Sequence, residues 1–309
     1  MIGSESAAPR RARVGELELA YETFGSAGDP ALLLIMGLAS QMLAWPDEFC
    51  TSLAAAGFHV IRFDNRDVGL STHLTGVPAP DPVKLMRGDT SDAAYRLEDM
   101  ADDAVGLLAA LDIERAHIVG VSMGGMIAQT VAIRHPQRTL SLTSIMATPA
   151  PYIGPPTPRA QAVLLMPPPA DREEAGRRAL EVFRVIGSPD YPLDEEAVAD
   201  VGRRSYDRGS DPAGVLRQLA AIGASGDRTA ALRKLTVPAL VIHGAADPLV
   251  TVEGGQATAA AVTGSRLIVI PGMGHDLPRA VWPVIIDAIA ALAKNARSRT
   301  GAGITWQRP

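Results

Sequence analysis

The stretch AHIVGVSMGGM, residues 116–126, contains the pattern that decides the fold. An apolar run that ends at Val121 is typical of a buried strand, and a helical pattern begins almost at once, near Met123. Ser122 lies at the turn between them, with a glycine two residues before it and another two residues after it. Glycines are required there because so sharp a turn brings neighbouring backbone close to the serine. The stretch matches G-x-S-x-G in a strand–turn–helix context, which predicts that Ser122 is a nucleophile.

Further short apolar runs alternate with amphipathic stretches on both sides of this turn. This alternation is typical of βαβ units, so it predicts an α/β fold with a mostly parallel sheet flanked by helices. Residues 17–23 alternate between apolar and polar side chains, and we expect them on an antiparallel edge of the sheet. Strands are predicted at residues 31–36, 58–63, 116–121, 139–145, 237–243 and 266–270.

The character of the chain changes after Thr148, where eight prolines fall between residues 148 and 169 and strand patterns stop until Val237. Helical patterns at residues 171–186, 194–207 and 212–223 indicate an inserted helical module. The predicted division is a core of residues 1–148 and 233–297, an insertion of residues 149–232, and a polar, mobile tail of residues 298–309.

Composition narrows the classes of partner. The 309 residues carry a net charge of −5 and no run of Lys or Arg, which argues against binding to nucleic acid or an anionic membrane and favours neutral small molecules. No stretch approaches the length of a membrane span, and a single cysteine, Cys50, excludes an intramolecular disulfide. We expect a cytoplasmic protein, and the sequence leaves its oligomeric state open.

A serine hydroxyl needs a base to become a nucleophile, and the base needs an orienting acid. His275 follows the last predicted strand in a glycine-rich loop, at the sheet edge where open parallel sheets place their active sites. His243 also ends a strand, but we interpret it as structural. Asp247 follows the strand 237–243 and is the predicted acid, although Asp-Pro also commonly opens a turn. The order Ser, Asp, His matches triads of the strand–turn–helix type.

Two backbone N–H groups are needed to stabilise the oxyanion that forms when the serine attacks. The residue after the nucleophile, Met123, offers one. The loop after the strand 31–36 offers another, where Gly37 lets the chain turn inward, and Leu38 is the predicted donor.

Taken together, these motifs resemble the α/β-hydrolase superfamily over most of residues 14–296, and within it the branch of carboxylesterases and the aclacinomycin methylesterase. The resemblance implies ester hydrolysis without a metal or an organic cofactor, and it implies that the insertion is a helical cap over the pocket. Many relatives have His-Gly where this chain has Met36-Gly37, and others have glycine where it has Asp67, whose effect stays open. The motifs that carry the resemblance are Leu34-Ile35-Met36-Gly37, Asp64-Asn65-Arg66-Asp67-Val68-Gly69-Leu70-Ser71, Gly120 to Gly125, His243-Gly244-Ala245-Ala246-Asp247-Pro248 and Gly272-Met273-Gly274-His275-Asp276-Leu277-Pro278.

Apolar residues near the catalytic edge and in the insertion predict a pocket for uncharged, hydrophobic esters. The expected lining is Met36 and Met126 from the core and Leu165 and Phe183 from the insertion. Alternatively, the insertion residues pack only against each other as a small core of their own.

Functions other than ester hydrolysis are compatible with the same residues or the same scaffold. Enol-lactone hydrolysis and C–C bond hydrolysis can use the same three residues, and a catalytically inactive ligand-binding protein could share the scaffold. The absence of metal-binding and nucleotide-binding motifs from the sequence argues against those chemistries.

Overall fold

The computed structural model describes residues 9–164 and 166–301, with only the backbone described for residues 297–301. Within them an eight-stranded sheet has the order β1-β2-β4-β3-β5-β6-β7-β8, antiparallel from β1 through β2 to β4 and parallel thereafter. Its strands are β1 Arg10–Val14, β2 Leu17–Phe24, β3 Ala31–Ile35, β4 His59–Phe63, β5 Ala116–Val121, β6 Thr139–Ile145, β7 Ala239–Gly244 and β8 Arg266–Ile270. Its helices are α1 Asp47–Ala55, α2 Pro82–Met86, α3 Leu97–Ala110, α4 Met123–Arg134, α5 Pro158–Leu164, α6 Arg172–Ile186, α7 Glu195–Arg208, α8 Pro212–Ala224, α9 Thr229–Leu232, α10 Val252–Ala261 and α11 Trp282–Gly301.

The predicted α/β class and mostly parallel sheet are confirmed, and the parallel strands begin and end within two residues of their predicted bounds. The prediction that residues 17–23 form the sheet edge was wrong, because β1 pairs outside β2. The sequence of β1 is RRARV, whose charges hide the apolar pattern of a strand. Charged side chains suit an edge because they discourage pairing with another chain.

Helices cover both faces of the sheet, so successive residues of a central strand enter different cores. On β3, Leu33 packs in a cluster with residues of α3 and α4, whereas Leu34 packs in a second cluster with residues of α1 and α11. Side chains alternate along a strand, and both faces are dry here, which explains the continuous apolar sequence. No helix in the described parts of the chain is both long and apolar enough to cross a membrane.

The segment between β6 and β7 contains α5 to α9, and α6 packs along α7. Each of α6, α7 and α8 begins at an aspartate whose carboxylate accepts a hydrogen bond from the backbone of the first turn. These N-caps are Asp171, Asp194 and Asp211. Such caps satisfy backbone donors that have no partner inside the helix, so they set where these helices start.

At the other end of the chain, α11 continues to Gly301, four residues into the segment predicted as a tail. The rest of that segment, residues 302–309, lies outside the described residues.

The loop after β4 joins the core to the insertion through buried ion pairs. Asp67, whose role was open from sequence, is fully buried and accepts two hydrogen bonds from Arg217 of α8, each 2.8 Å long. Tyr95 and the backbone of Leu74 donate two more, of 2.8 and 2.7 Å. Burial by itself would raise the pKa of Asp67, but these donors hold it below its ordinary value.

A second pair lies beside the first. Asp64 is also fully buried, accepts the backbone N–H of Met42 at 2.7 Å and pairs with Arg208 at the end of α7. Two helices of the insertion are therefore tied to one core loop by charged hydrogen bonds.

Replacing Arg217 with methionine should lower the free energy of unfolding by about 3–5 kcal/mol, because the Asp67 carboxylate would stay buried without its cation. Urea unfolding followed by circular dichroism measures this. The control is Arg11→Ala at the exposed Arg11–Glu18 pair, which should cost about 1 kcal/mol or less. Equal unfolding midpoints for the two variants would show that the buried pair does not stabilise the fold.

Candidate active site

Ser122 lies between β5 and α4 in a strained backbone conformation, with φ 55° and ψ −126°. Its N–H donates to the carbonyl of Ile145 at 3.0 Å, and its carbonyl accepts from Met126 at 3.1 Å. A non-glycine residue in such a conformation costs about 1–3 kcal/mol and persists only where surrounding structure holds it. The sharp turn leaves Ser122 partly exposed at the carboxyl edge of the sheet.

The glycines around the turn are required by backbone contacts. A Cβ at Gly120 would lie 2.0 Å from the carbonyl oxygen of Gly124, and a Cβ at Gly124 would lie 2.1 Å from that of Ile35. Strand, helix and the end of β3 therefore approach one another more closely than any side chain permits.

Asp247 and His275 are in direct contact, as the hypothesis of an acid and a base requires. His275 Nδ1 lies 2.7 Å from Asp247 Oδ2. The other carboxylate oxygen of Asp247 accepts the backbone N–H groups of Leu249 and Val250, at 2.9 and 3.0 Å. Burial opposes ionisation of Asp247, but the neighbouring His275 and His243 side chains leave its pKa well below the ordinary value. Asp247 is thus an anion that holds one nitrogen of His275.

His243, interpreted from sequence as structural, supports the turn that carries Asp247. It is fully buried, its Nε2 lies 2.7 Å from the carbonyl of Val250, and the same nitrogen is 3.5 Å from Asp247 Oδ2. The ring nitrogen that faces a carbonyl must donate, so His243 carries its proton on Nε2.

The loop after β3 lies directly against Ser122. A Cβ on Gly37 would lie 3.1 Å from Ser122 Cβ and 3.5 Å from Ser122 Oγ. Leu38, the predicted oxyanion donor, follows this glycine and is partly buried. Met123 is the first residue of α4, where backbone N–H groups have no partner inside the helix.

Two residues that sequence reasoning missed hold this loop in place. Asn65 donates to the carbonyl of Met36 at 2.9 Å. Gln218 of α8 accepts the N–H of Ala39 at 3.0 Å and donates to the carbonyl of Arg66 at 2.8 Å. Gln218 lies 179 residues from Ala39, so no local pattern could have indicated the contact.

The predicted pocket residues occupy different parts of the molecule. Met36 and Met126 are buried in the two core clusters on opposite faces of the sheet. Phe183 packs in a third, smaller cluster that also includes Leu249, two residues after Asp247. Leu165 lies outside the described residues.

Phe183 also lines a cavity of about 420 Å³. Ala246 and Pro248, on either side of Asp247, and Asp276, next to His275, line the same cavity. The described residues that line the cavity do not include Ser122. The cavity therefore borders the residues next to Asp247 and His275.

One cluster of possible metal-binding groups is formed by Asp67, His73 and Asp211. Arg217 bonds to Asp67 at 2.8 Å and to Asp211 at 3.0 Å, so its guanidinium already compensates both carboxylates. This cluster belongs to the ion pairs that join the insertion to the core, and Arg217 supplies its positive charge.

Comparisons with known proteins identify relatives of this chain. The profile of the α/β hydrolase fold family matches residues 30–173. The chain is 30% identical to rhodomycin D methylesterase DauP of Streptomyces sp. strain C5, over 91% of this chain and 96% of that protein. It is 28% identical to 3-oxoadipate enol-lactonase 2 of Acinetobacter baylyi, over 78% of this chain and 80% of the relative.

Solved structures show the same relationship. The enol-lactonase from Burkholderia xenovorans LB400 superposes with a TM-score of 0.69 at 26% identity, covering 94% of this chain and all of that one. The resemblance inferred from the motifs is confirmed: the chain belongs to the α/β hydrolase fold family.

Proposed function

We propose that this protein is a serine esterase in which Ser122 attacks a carboxylic ester, His275 acts as general base and acid, and Asp247 orients His275. The observation that carries the proposal is the 2.7 Å hydrogen bond between Asp247 and His275, at the sheet edge where Ser122 is held in a strained turn. The similarity to methylesterases supports hydrolysis of esters over other reactions of the fold.

The reaction follows from the positions of the protons. Asp247 accepts the Nδ1–H of His275, so the lone pair of Nε2 is free to take the Ser122 hydroxyl proton while Oγ attacks the carbonyl carbon. His275 returns that proton to the leaving alcohol as the ester C–O bond breaks, which leaves an acyl group on Ser122. Water then gives a proton to His275 and attacks the acyl carbon, and Ser122 regains the proton as the acid departs.

The proposed oxyanion donors are the N–H groups of Met123 and Leu38. Removing one such donor typically costs about 3 kcal/mol of transition-state stabilisation. The close approach of Gly37 to Ser122 supports this assignment, because Leu38 is the next residue of the loop.

Two other reactions use the same residues. A lactone is an internal ester, so the enol-lactonase relative is compatible with the same mechanism. C–C bond hydrolysis and a ligand-binding role are the remaining alternatives. Turnover of methyl esters, enol-lactones and C–C substrates side by side separates them.

The insertion, residues 149–232, is proposed to be a cap on a core made of residues 1–148 and 233–297. Its two buried ion pairs to the loop after β4, at the carboxyl edge of the sheet, support this proposal. The proposed substrates are small, uncharged, hydrophobic esters bound by Met36 and Met126 from the core and by Leu165 and Phe183 from the cap.

The chemical state of Cys50 is compatible with the proposed cytoplasmic location. Burial raises the pKa of its thiol to about 12, so the reactive thiolate is scarce at neutral pH. A lone, unreactive thiol is compatible with a reducing compartment.

Replacing Ser122 with alanine should lower kcat at least a thousandfold on p-nitrophenyl butyrate and abolish labelling by a fluorophosphonate, because both need the activated hydroxyl. The control Ser52→Ala changes an exposed helix serine and should leave both unchanged. A Ser122→Ala enzyme that keeps a tenth of the wild-type rate would exclude Ser122 as nucleophile.

Replacing Asp247 with asparagine should lower kcat by about 10⁴-fold, because the amide favours the wrong tautomer of His275. In the wild type, the lowered pKa of Asp247 keeps this carboxylate ionised as the pH is lowered to about 5, so protonation of Asp247 should not reduce kcat/KM in that range. The exposed control Asp92→Asn should behave as wild type. Full activity of Asp247→Asn would point to another acid.

The pocket proposal predicts that kcat/KM rises severalfold from p-nitrophenyl acetate to butyrate, since each buried methylene contributes about 0.8 kcal/mol. Phe183→Asp should reduce this preference, whereas Val83→Asp, at a side chain already 54% exposed, should not. Measuring kcat/KM on p-nitrophenyl octanoate as well shows whether the pocket is filled by a shorter acyl chain. A preference for acetate that Phe183→Asp leaves unchanged would mean that Phe183 does not bind the acyl chain.

A further inference from the structure

The linker between α6 and α7 lies against the loop that carries the proposed base. The backbone N–H of His275 donates to the carbonyl of Ile186, the last residue of α6, at 2.7 Å. A Cβ on Gly274 would lie 2.3 Å from the carbonyl oxygen of Gly187, so the two segments are in contact through their backbones. The inserted segment therefore contacts the base at its own main chain.

Ser188 joins the residues on both sides of His275 through one hydroxyl. Its Oγ accepts the N–H of Gly274 at 2.8 Å and donates to Oδ1 of Asp276 in a short hydrogen bond. Both directions are required, because a backbone N–H can only donate and a carboxylate can only accept. Asp276 is largely buried, which raises its pKa, and the Ser188 hydroxyl counters that rise by stabilising the ionised form.

The core and the insertion both hold the loop that carries His275. On the core side, its imidazole bonds to Asp247, and the carbonyl of Met273, two residues before it, accepts from Ala246 at 2.9 Å. From the insertion, Ser188 accepts the backbone N–H of Gly274, Ile186 accepts that of His275, and Ser188 donates to the side chain of Asp276. Orientation of a catalytic group is sensitive, since a shift of about 1 Å can cost a hundredfold in rate.

We infer that Ser188 is a positioning residue for catalysis: it sets the place of His275 through Gly274 and Asp276, so the insertion completes the catalytic loop in addition to covering the site. This inference rests on the proposed function, because it takes His275 as the base. A purely structural role would make Ser188 a link that stabilises the insertion without altering the chemical step.

Ser188→Ala tests this in the full-length enzyme with p-nitrophenyl butyrate. The expected result is a fall in kcat of about tenfold or more with KM within twofold of wild type, because substrate still binds while the base is displaced. Fluorophosphonate labelling of Ser122 should slow in parallel. Ser210→Ala, at an exposed serine of the same insertion, is the matched control and should leave kcat, KM and labelling unchanged.

Variants that keep a polar atom at residue 188 separate a positioning role of Ser188 from a packing role. Ser188→Thr keeps the hydroxyl and should recover at least half of the wild-type kcat, whereas Ser188→Cys, with a weak donor and acceptor, should fall between alanine and wild type. Thermal unfolding of each variant shows whether it is folded. If Ser188→Ala does not fold, the folded Ser188→Cys variant carries the test, and a kcat equal to wild type overturns the inference.

Two failures are distinguishable. A wild type that neither hydrolyses esters nor reacts with the fluorophosphonate refutes the proposed function and this inference with it. An active, labelled wild type whose Ser188→Ala variant has unchanged kcat, or whose Ser188→Thr variant is no better than alanine, refutes the positioning role alone.

Discussion

The backbone of Ser122, with φ 55° and ψ −126°, is the constraint on which the rest of the site depends. A conformation that costs about 1–3 kcal/mol is kept because three parts of the fold close on it: the end of β3, the strand β5 and the first turn of α4. They meet through glycines at 120 and 124, whose missing side chains leave space for carbonyl oxygens near 2 Å from a Cβ position. The same approach brings Gly37, and with it the proposed oxyanion loop, against the nucleophile.

The insertion contacts both the proposed oxyanion loop and the loop that carries His275. Asp64 and Asp67 bind Arg208 and Arg217 at one end of the insertion, and Gln218 reaches the oxyanion loop from the same helix. At the other end, the α6–α7 linker bonds to the backbone that carries His275. Both halves of the proposed machinery, the oxyanion loop and the base, thus depend on contacts between core and insertion.

Burial strengthens the acid and base pair by excluding water. Asp247 is 4% exposed, yet its carboxylate has donors for both oxygens: backbone amides on one and His275 on the other. A fully paired buried charge stays ionised, and in the proposed reaction it would stabilise the imidazolium form of His275. His243 maintains this turn by binding Val250, which explains a second histidine so close to the acid.

The sequence by itself determined the sheet and the residues that end its strands, because both depend on local pattern: a buried parallel strand is a continuous apolar run, and a residue that follows such a strand lies at the carboxyl edge. Ser122, Asp247 and His275 were placed in this way. Local pattern did not find β1, whose arginines conceal a strand, and it could not reveal the role of Asp67. Its partner Arg217 is 150 residues away, and Gln218 and Ser188 contact loops at similarly distant points in the chain. Such pairs are decided only by tertiary structure, since a buried charge or an unpaired backbone amide takes whichever partner the folded chain brings within hydrogen-bond distance.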